Sequence, residues 1–227
     1  MSAGAPDGSA ADAAGDAPDG PVRPRGLLID FGGVLTTNVF EAFGDFAEAE
    51  GLERDAIGQL FKTDREARNL LKDLESGTID TVAFGPPFVA RAGLGPDRAD
   101  GVVTRMFSAL RSDVAMADAV RAARRAGIRT GLISNSWGDG MAYDQALLDE
   151  AFDGVVLSHE ERMRKPAPEI FVIGAERVGL RPEECVFVDD LPFNLPPAEE
   201  LGMTTVLHRD AAETVPRLEE LFGVPLR

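Results

Sequence analysis

The stretch Arg25-Gly26-Leu27-Leu28-Ile29-Asp30-Phe31-Gly32-Gly33-Val34-Leu35-Thr36 decides the fold. An apolar run, Leu27-Leu28-Ile29, stops at an aspartate, and a glycine pair follows. A short apolar run bounded by turn formers reads as a buried strand. Asp30 then stands at the strand's carboxyl end, where open α/β sheets place their ligands. Gly32 and Gly33 allow a sharp turn and a close approach of backbone to ligand. An ordinary strand and turn would look the same, so the reading depends on partners for Asp30 at other strand ends.

Working outward, residues 38–113 carry helical spacing: Phe40, Phe43, Phe46 and Ala47, then Leu60, Phe61, Leu70, Leu71 and Leu74. Gly77, Pro86-Pro87, Gly93, Gly95 and Pro96 divide this segment into several short helices. From residue 115 onward, helices and strands alternate. Helices are expected at 115–126, 168–178, 197–201 and 211–222, and strands at 128–134, 155–157, 185–188 and 204–207. Gly127, Gly179 and Gly202 each follow a helix where a left-handed cap is needed. The strands are apolar throughout, as in a parallel sheet covered on both faces. The pattern predicts an α/β fold: a doubly wound parallel sheet (25–37 and 114–227) with an all-helical cap (38–113) inserted after the first strand. Residues 1–24, rich in Ala, Gly, Pro, Asp and Ser, read as a disordered tail.

Composition narrows the function. The 227 residues carry a formal net charge of -16, which argues against nucleic acid and anionic membranes as partners. Lysine occurs only at positions 62, 72 and 165. A single cysteine, Cys185, excludes an internal disulfide and fits a reducing compartment; its place in a strand makes it a core residue. No apolar run is long enough for a membrane span, and no basic segment followed by an apolar one opens the chain. A cytoplasmic monomer or homodimer is the expectation.

Three later strand ends carry chemistry. Ser134-Asn135-Ser136-Trp137 offers a hydroxyl and backbone N–H groups for an anion. Lys165, before Pro166-Ala167-Pro168, lies in a rigid lead-in to a helix. Asp189 and Asp190 follow a buried strand, a costly place for two carboxylates unless they are paired or bind a cation. Asp30 and Asp190 on neighbouring strands would make a hard-oxygen site suited to Mg2+.

The order Asp30-x-Gly-Gly-Val-Leu, Ser134-Asn135, Lys165-Pro-x-Pro, Asp189-Asp190-x-x-x-Asn194 resembles the haloacid dehalogenase superfamily over residues 25–222. The helical insertion resembles that superfamily's C1-type cap. Gly33-Val34-Leu35, Ser134-Asn135-Ser136-Trp137 and the double Asp look most like the subgroup containing the phosphatase domain of soluble epoxide hydrolases. The resemblance implies a Mg2+-dependent phosphatase acting on a small phosphorylated metabolite, such as a sugar or cyclitol phosphate. Asp30 would be the nucleophile, and Asp30, the Gly32 carbonyl and Asp190 the metal ligands. Ser134, Asn135, Gly33 and Lys165 would grip the phosphate. Asp189 would bind a metal-bound water or orient Lys165, and Asn194 would support the metal shell. Trp137 would stack on substrate or roof the local core.

One position departs from the resemblance. Most phosphatases of this superfamily carry a second Asp two residues after the nucleophile, as acid and base; here that residue is Gly32. Glu41 and Asp45, early in the cap, are candidate substitutes. The competing readings are a metal-independent dehalogenase-type hydrolase and a catalytically weak or inactive binding protein. Cleavage of a C–P bond through a cap lysine, Lys62 or Lys72, is less favoured.

Overall fold

The structure is a computed structural model, and it describes residues 23–138, 141 and 143–227. The expected tail lies almost wholly outside them. Five strands form one parallel sheet: β1 (Gly26–Ile29), β2 (Arg129–Ser134), β3 (Gly154–Leu157), β4 (Cys185–Asp189) and β5 (Thr204–Leu207). Their order is β3-β2-β1-β4-β5. The chain runs outward from β1 to β3 and then returns to lay β4 on the other side of β1. The β1–β4 boundary is therefore the point where strand order reverses, and its carboxyl end is the natural crevice for a ligand.

Alternate residues of each central strand enter opposite cores. Leu27, Ile29, Val186 and Val188 pack on one face, and Leu28 and Phe187 on the other. The first face is covered by α6 (Val114–Arg125) and α11 (Ala211–Phe222), the second by α9 (Pro168–Arg177) and α10 (Leu195–Glu200). Gly127, Gly179 and Gly202 adopt φ of 85°, 73° and 87°, as the helix ends require. The sequence reading omits α7 (Gln145–Ala151), which starts at Asp144, and α8 (Ser158–Glu161).

Between β1 and α6 lie helices, turns and one isolated antiparallel bridge, Thr36 with Ser112: α1 (Val39–Ala49), α2 (Ala56–Thr63), α3 (Arg65–Glu75), α4 (Thr81–Arg91), a short 3-10 turn and α5 (Val102–Met106). Asn38, Asp64 and Asp80 accept backbone N–H groups at the starts of α1, α3 and α4. The two stems of the insertion are tied together where Thr37 N donates to Arg111 O at 2.8 Å and Asp113 N to Leu35 O at 2.8 Å. Pro86-Pro87 does not break a helix: both lie inside α4. The carbonyls they leave unpaired belong to Val82 and Ala83 on the exposed side, while Phe84, Phe88 and Val89 are buried on the other. Packing of that aromatic face outweighs the two lost hydrogen bonds.

Candidate active site

Asp30, Ser134 and Asp189 stand at the carboxyl ends of adjacent strands because Ile29 pairs in register with both Leu132 and Val188. Asp30 N donates to Val188 O at 2.9 Å, which locks the aspartate beside β4. Lys165 arrives from the loop before α9 and is 1 % exposed. Its ammonium lies 2.7 Å from Asp30 Oδ1 and 2.7 Å from Asp189 Oδ2. Asn135 fixes that loop: its Oδ1 accepts from Lys165 N at 2.8 Å, and its Nδ2 donates to Lys165 O at 3.1 Å.

Asp189 is fully buried and saturated. Its Oδ1 accepts from Leu191 N at 2.8 Å, Asn194 Nδ2 reaches both oxygens at 3.0 Å, and Lys165 takes Oδ2. Of the two roles the sequence leaves open for Asp189, this environment matches the orienting one. Asn194 acts on Asp189, not on a cavity-facing oxygen. Both contacts to Asp30, from Lys165 Nζ and from Phe31 N at 2.7 Å, fall on Oδ1.

Ligand oxygens of Asp30, Asp189 and Asp190 lie within 4.8 Å of one another. Asp190 Oδ1 is buried with no hydrogen-bond partner. Since Asp189 has no lone pair to spare, Asp30 and Asp190 are the carboxylates that fit a hard divalent cation. Gly33, at φ 78°, leaves room for this: a Cβ there would overlap the Asp190 carboxylate. Its N–H donates to Thr36 Oγ1 at 3.2 Å within the turn, and Gly33 itself does not line the cavity.

Burial raises the Asp30 carboxyl to about 7, with Lys165 opposing and Asp189 and Asp190 adding to the rise. Burial and Asp189 raise Asp190 to about 6. Burial pulls Lys165 down, but the Asp189 and Asp30 carboxylates override it and leave the ammonium above its ordinary range. The cluster thus holds a full positive charge against carboxylates that give up their protons reluctantly.

These groups open into a cavity of about 560 Å³ beneath the inserted helices. Asp30, Gly32, Ser134, Asn135, Trp137, Lys165, Asp190 and Asn194 all line it; Gly33 and Asp189 do not. Ser134 Oγ lies 2.9 Å from the Tyr143 hydroxyl, a partner the sequence did not signal. Trp137 is buried among Phe43, Phe61, Phe84 and Phe107 yet still reaches the cavity wall. Its Nε1 donates to Glu75 Oε1 at 3.2 Å, and Arg164 pairs with Glu75 Oε2. Burial raises the Glu75 carboxyl against the pull of Arg164 and Trp137. Both Glu75 and Arg164 escaped the sequence reading, because an acidic residue at the end of a charged helix looks solvated.

At the position of the missing acid, a side chain requires Val39 to shift. A Cβ on Gly32 would come 2.8 Å from Val39 Cγ2. Neither proposed substitute reaches the cavity: Glu41 is exposed outside it, and Asp45 pairs with Arg54 at 2.8 Å. Glu75 is the one carboxylate that the inserted helices bring to the cavity among the described residues. His159 lies outside the wall, its backbone against Gly77, and Cys185 is buried in β4.

A parallel sheet with a reversal point, four strand-end loops and paired carboxylates defines a family as well as a fold. Residues 24–202 match the model of the haloacid dehalogenase-like hydrolases, and the chain belongs to that family of hydrolases. It is 33% identical over 114 residues to bifunctional epoxide hydrolase 2 of Rattus norvegicus, 48% of this chain and 21% of that protein. The match thus spans about a fifth of that relative's length. It is 38% identical over 55 residues to the fructose-1-phosphate phosphatase YqaB of Escherichia coli (strain K12), 24% of this chain and 29% of that protein. Among solved structures, the HAD family enzyme bt-2542 of Bacteroides thetaiotaomicron, in complex with magnesium and inorganic phosphate, superposes with a TM-score of 0.62 at 25% identity, over 86% of this chain and 98% of that one.

Proposed function

We propose that this chain is a Mg2+-dependent phosphomonoester hydrolase working through an aspartyl-phosphate on Asp30. The observation that carries the reading is the division of labour on that carboxylate. Lys165 and Phe31 N engage Oδ1, which leaves Oδ2 to form the new bond to phosphorus. Asp30, the Gly32 carbonyl and Asp190 would hold Mg2+, which supplies charge neutralisation for crowded phosphate oxygens. Lys165 balances the carboxylates, and Asp189 and Asn194 hold it in place. Ser134 Oγ, steered by Tyr143, and the Asn135 N–H would bind the oxygens that are not transferred. As Oδ2 bonds to phosphorus, the ester P–O bond breaks and the alcohol leaves, taking its proton from water. A water molecule then attacks the phosphoryl group and gives up its proton to solvent, the phosphorus–Asp30 bond breaks, inorganic phosphate is released and Asp30 returns as carboxylate. The inserted helices act as the cap that excludes bulk water and bounds substrate size.

The relatives' names include a sugar phosphate phosphatase, which favours a small phosphorylated metabolite. The wall refines this. Val39, Phe40, Phe43, Phe61, Leu71 and Phe107 surround the space above the carboxylates. A sugar or cyclitol hydroxyl facing these side chains goes unpaired, at about 1–3 kcal/mol each, while Glu75, Arg164 and the cap cations on the same wall offer partners to only part of such a body. An ester with a partly apolar body fits better. A panel of phosphate esters with Mg2+ or EDTA tests the reading. Phosphate release is expected to stop with EDTA and with Asp30→Asn. Release that survives either change contradicts it and favours the metal-independent hydrolase.

A further inference from the structure

All three lysines of a chain carrying a net charge of -16 line one cavity. Lys165 is consumed at its floor. Lys62, in the last turn of α2, and Lys72, in the last turn of α3, line the cap side together with Arg68. Arg68 and Lys72 are four residues apart and so share a face of α3. Arg68 Nη1 donates to Lys62 O at 2.6 Å, which fixes the end of α2 against α3, the two helices from which the three cations line the cavity. Helix ends attract cations generally, which explains their place along each helix but not their convergence on one cavity.

Three acids in and before α3 are paired with arginines. Asp64 and Glu66 pair with Arg91, and Glu75 with Arg164. Among the described residues, Lys62 and Lys72 have no carboxylate at ion-pair distance; Arg68 donates to the Phe61 and Lys62 carbonyls and is near enough to Asp64 to help lower its carboxyl, without an ion pair to it. Apolar side chains, Val39, Phe43, Phe61, Leu71 and Phe107 among them, line the same cavity. The cations come from the inserted helices and the carboxylates Asp30 and Asp190 from the strand ends, so charged groups face the cavity from both its cap and its core side.

Resting on the phosphatase reading, we propose that Lys62, Arg68 and Lys72 form a second anion subsite. The substrate is then a phosphomonoester whose partly apolar body carries another anionic group, a carboxylate or a second phosphate, at its far end. The cap selects it by charge, while the core performs the transfer. The three cations are partly exposed, so added salt weakens the preference.

The test uses a linear alkyl phosphate, its ω-carboxylate and its ω-phosphate at matched chain length. The readout is the ratio of kcat/KM for each ω-anionic ester to that for the plain ester, taken on one preparation so that general losses cancel. The wild-type ratio is expected to be about tenfold. In Lys62→Met/Lys72→Met it should fall by about fivefold, the order expected of two exposed charge pairs. The two anionic arms separate carboxylate from phosphate as the recognised group. A wild-type ratio near one, or a ratio unchanged in the double variant, overturns the subsite. If no ester releases phosphate, the phosphatase reading fails, and calorimetric binding of the same three compounds decides the subsite. Tighter binding of the ω-anionic compounds that weakens in the double variant upholds it; equal binding contradicts it.

Discussion

Lys165 is a buried ammonium held between two carboxylates, and removing it leaves both without their cation. Breaking such a contact costs about 3–5 kcal/mol, a fall in thermal midpoint on the order of 10 °C for a chain of this size. Lys165→Met is expected to show that fall together with lost phosphate release. A midpoint unchanged from wild type would mean that the cluster is not charged as described. Gly32 poses a different question. Its φ is not in the left-handed region, so the obstacle to an acid there is Val39 and not the backbone. A positioned acid is worth about 10²–10⁴ in rate. Without one, aryl phosphates with good leaving groups should outpace alkyl phosphates by about 10²-fold. Gly32→Asp alone should change little, whereas Gly32→Asp with Val39→Ala should speed alkyl esters. Equal rates for aryl and alkyl esters in the wild type would show that another group already donates the proton. Glu75 is then the residue to replace.

At the scale of elements, strand ends were legible in the sequence because each strand is apolar to its last residue and then stops at a polar one. Asp30, Ser134 and Asp189 follow that rule, and register places them together. The helical insertion was legible from its spacing, but its contacts were not. Trp137 and Glu75 lie 62 residues apart and meet only because α3 ends over the loop after β2. Tyr143 reaches Ser134 from a stretch without periodicity. Pro86-Pro87 misled because punctuation by proline is a local rule, and α4 obeys its buried face instead. Gly33 belongs to this scale, since the turn after β1 must pass the Asp190 carboxylate. Gly33→Ala combines a left-handed φ with a steric overlap. It should weaken Mg2+ binding, read by calorimetry, more than it lowers the thermal midpoint. Unchanged Mg2+ affinity would count against Asp190 as a ligand.

The chain carries a formal net charge of -16, yet all three of its lysines line one cavity, which suits an anionic ligand drawn from solution. Folding also sets a pH limit away from the site. His208 is buried, with Nδ1 2.9 Å from Thr214 Oγ1, and burial lowers its pKa below the ordinary value, with Asp113 and Asp210 opposing. Because the folded pKa lies below the unfolded one, this stability is present in full above about 6.5 and is lost as pH falls through the folded value. His208→Gln should flatten the midpoint-versus-pH curve below about 6.5; an unaltered slope would assign that loss to other groups. The family membership fixes the class of chemistry, and the central claim within it is covalent transfer to Asp30. The direct measurement is mass spectrometry of acid-quenched enzyme after reaction with an aryl phosphate and Mg2+. A peptide containing Asp30 should be heavier by one phosphoryl group, with the added mass absent in Asp30→Asn and absent with EDTA. Turnover with no such adduct, or an adduct on another residue, would contradict it.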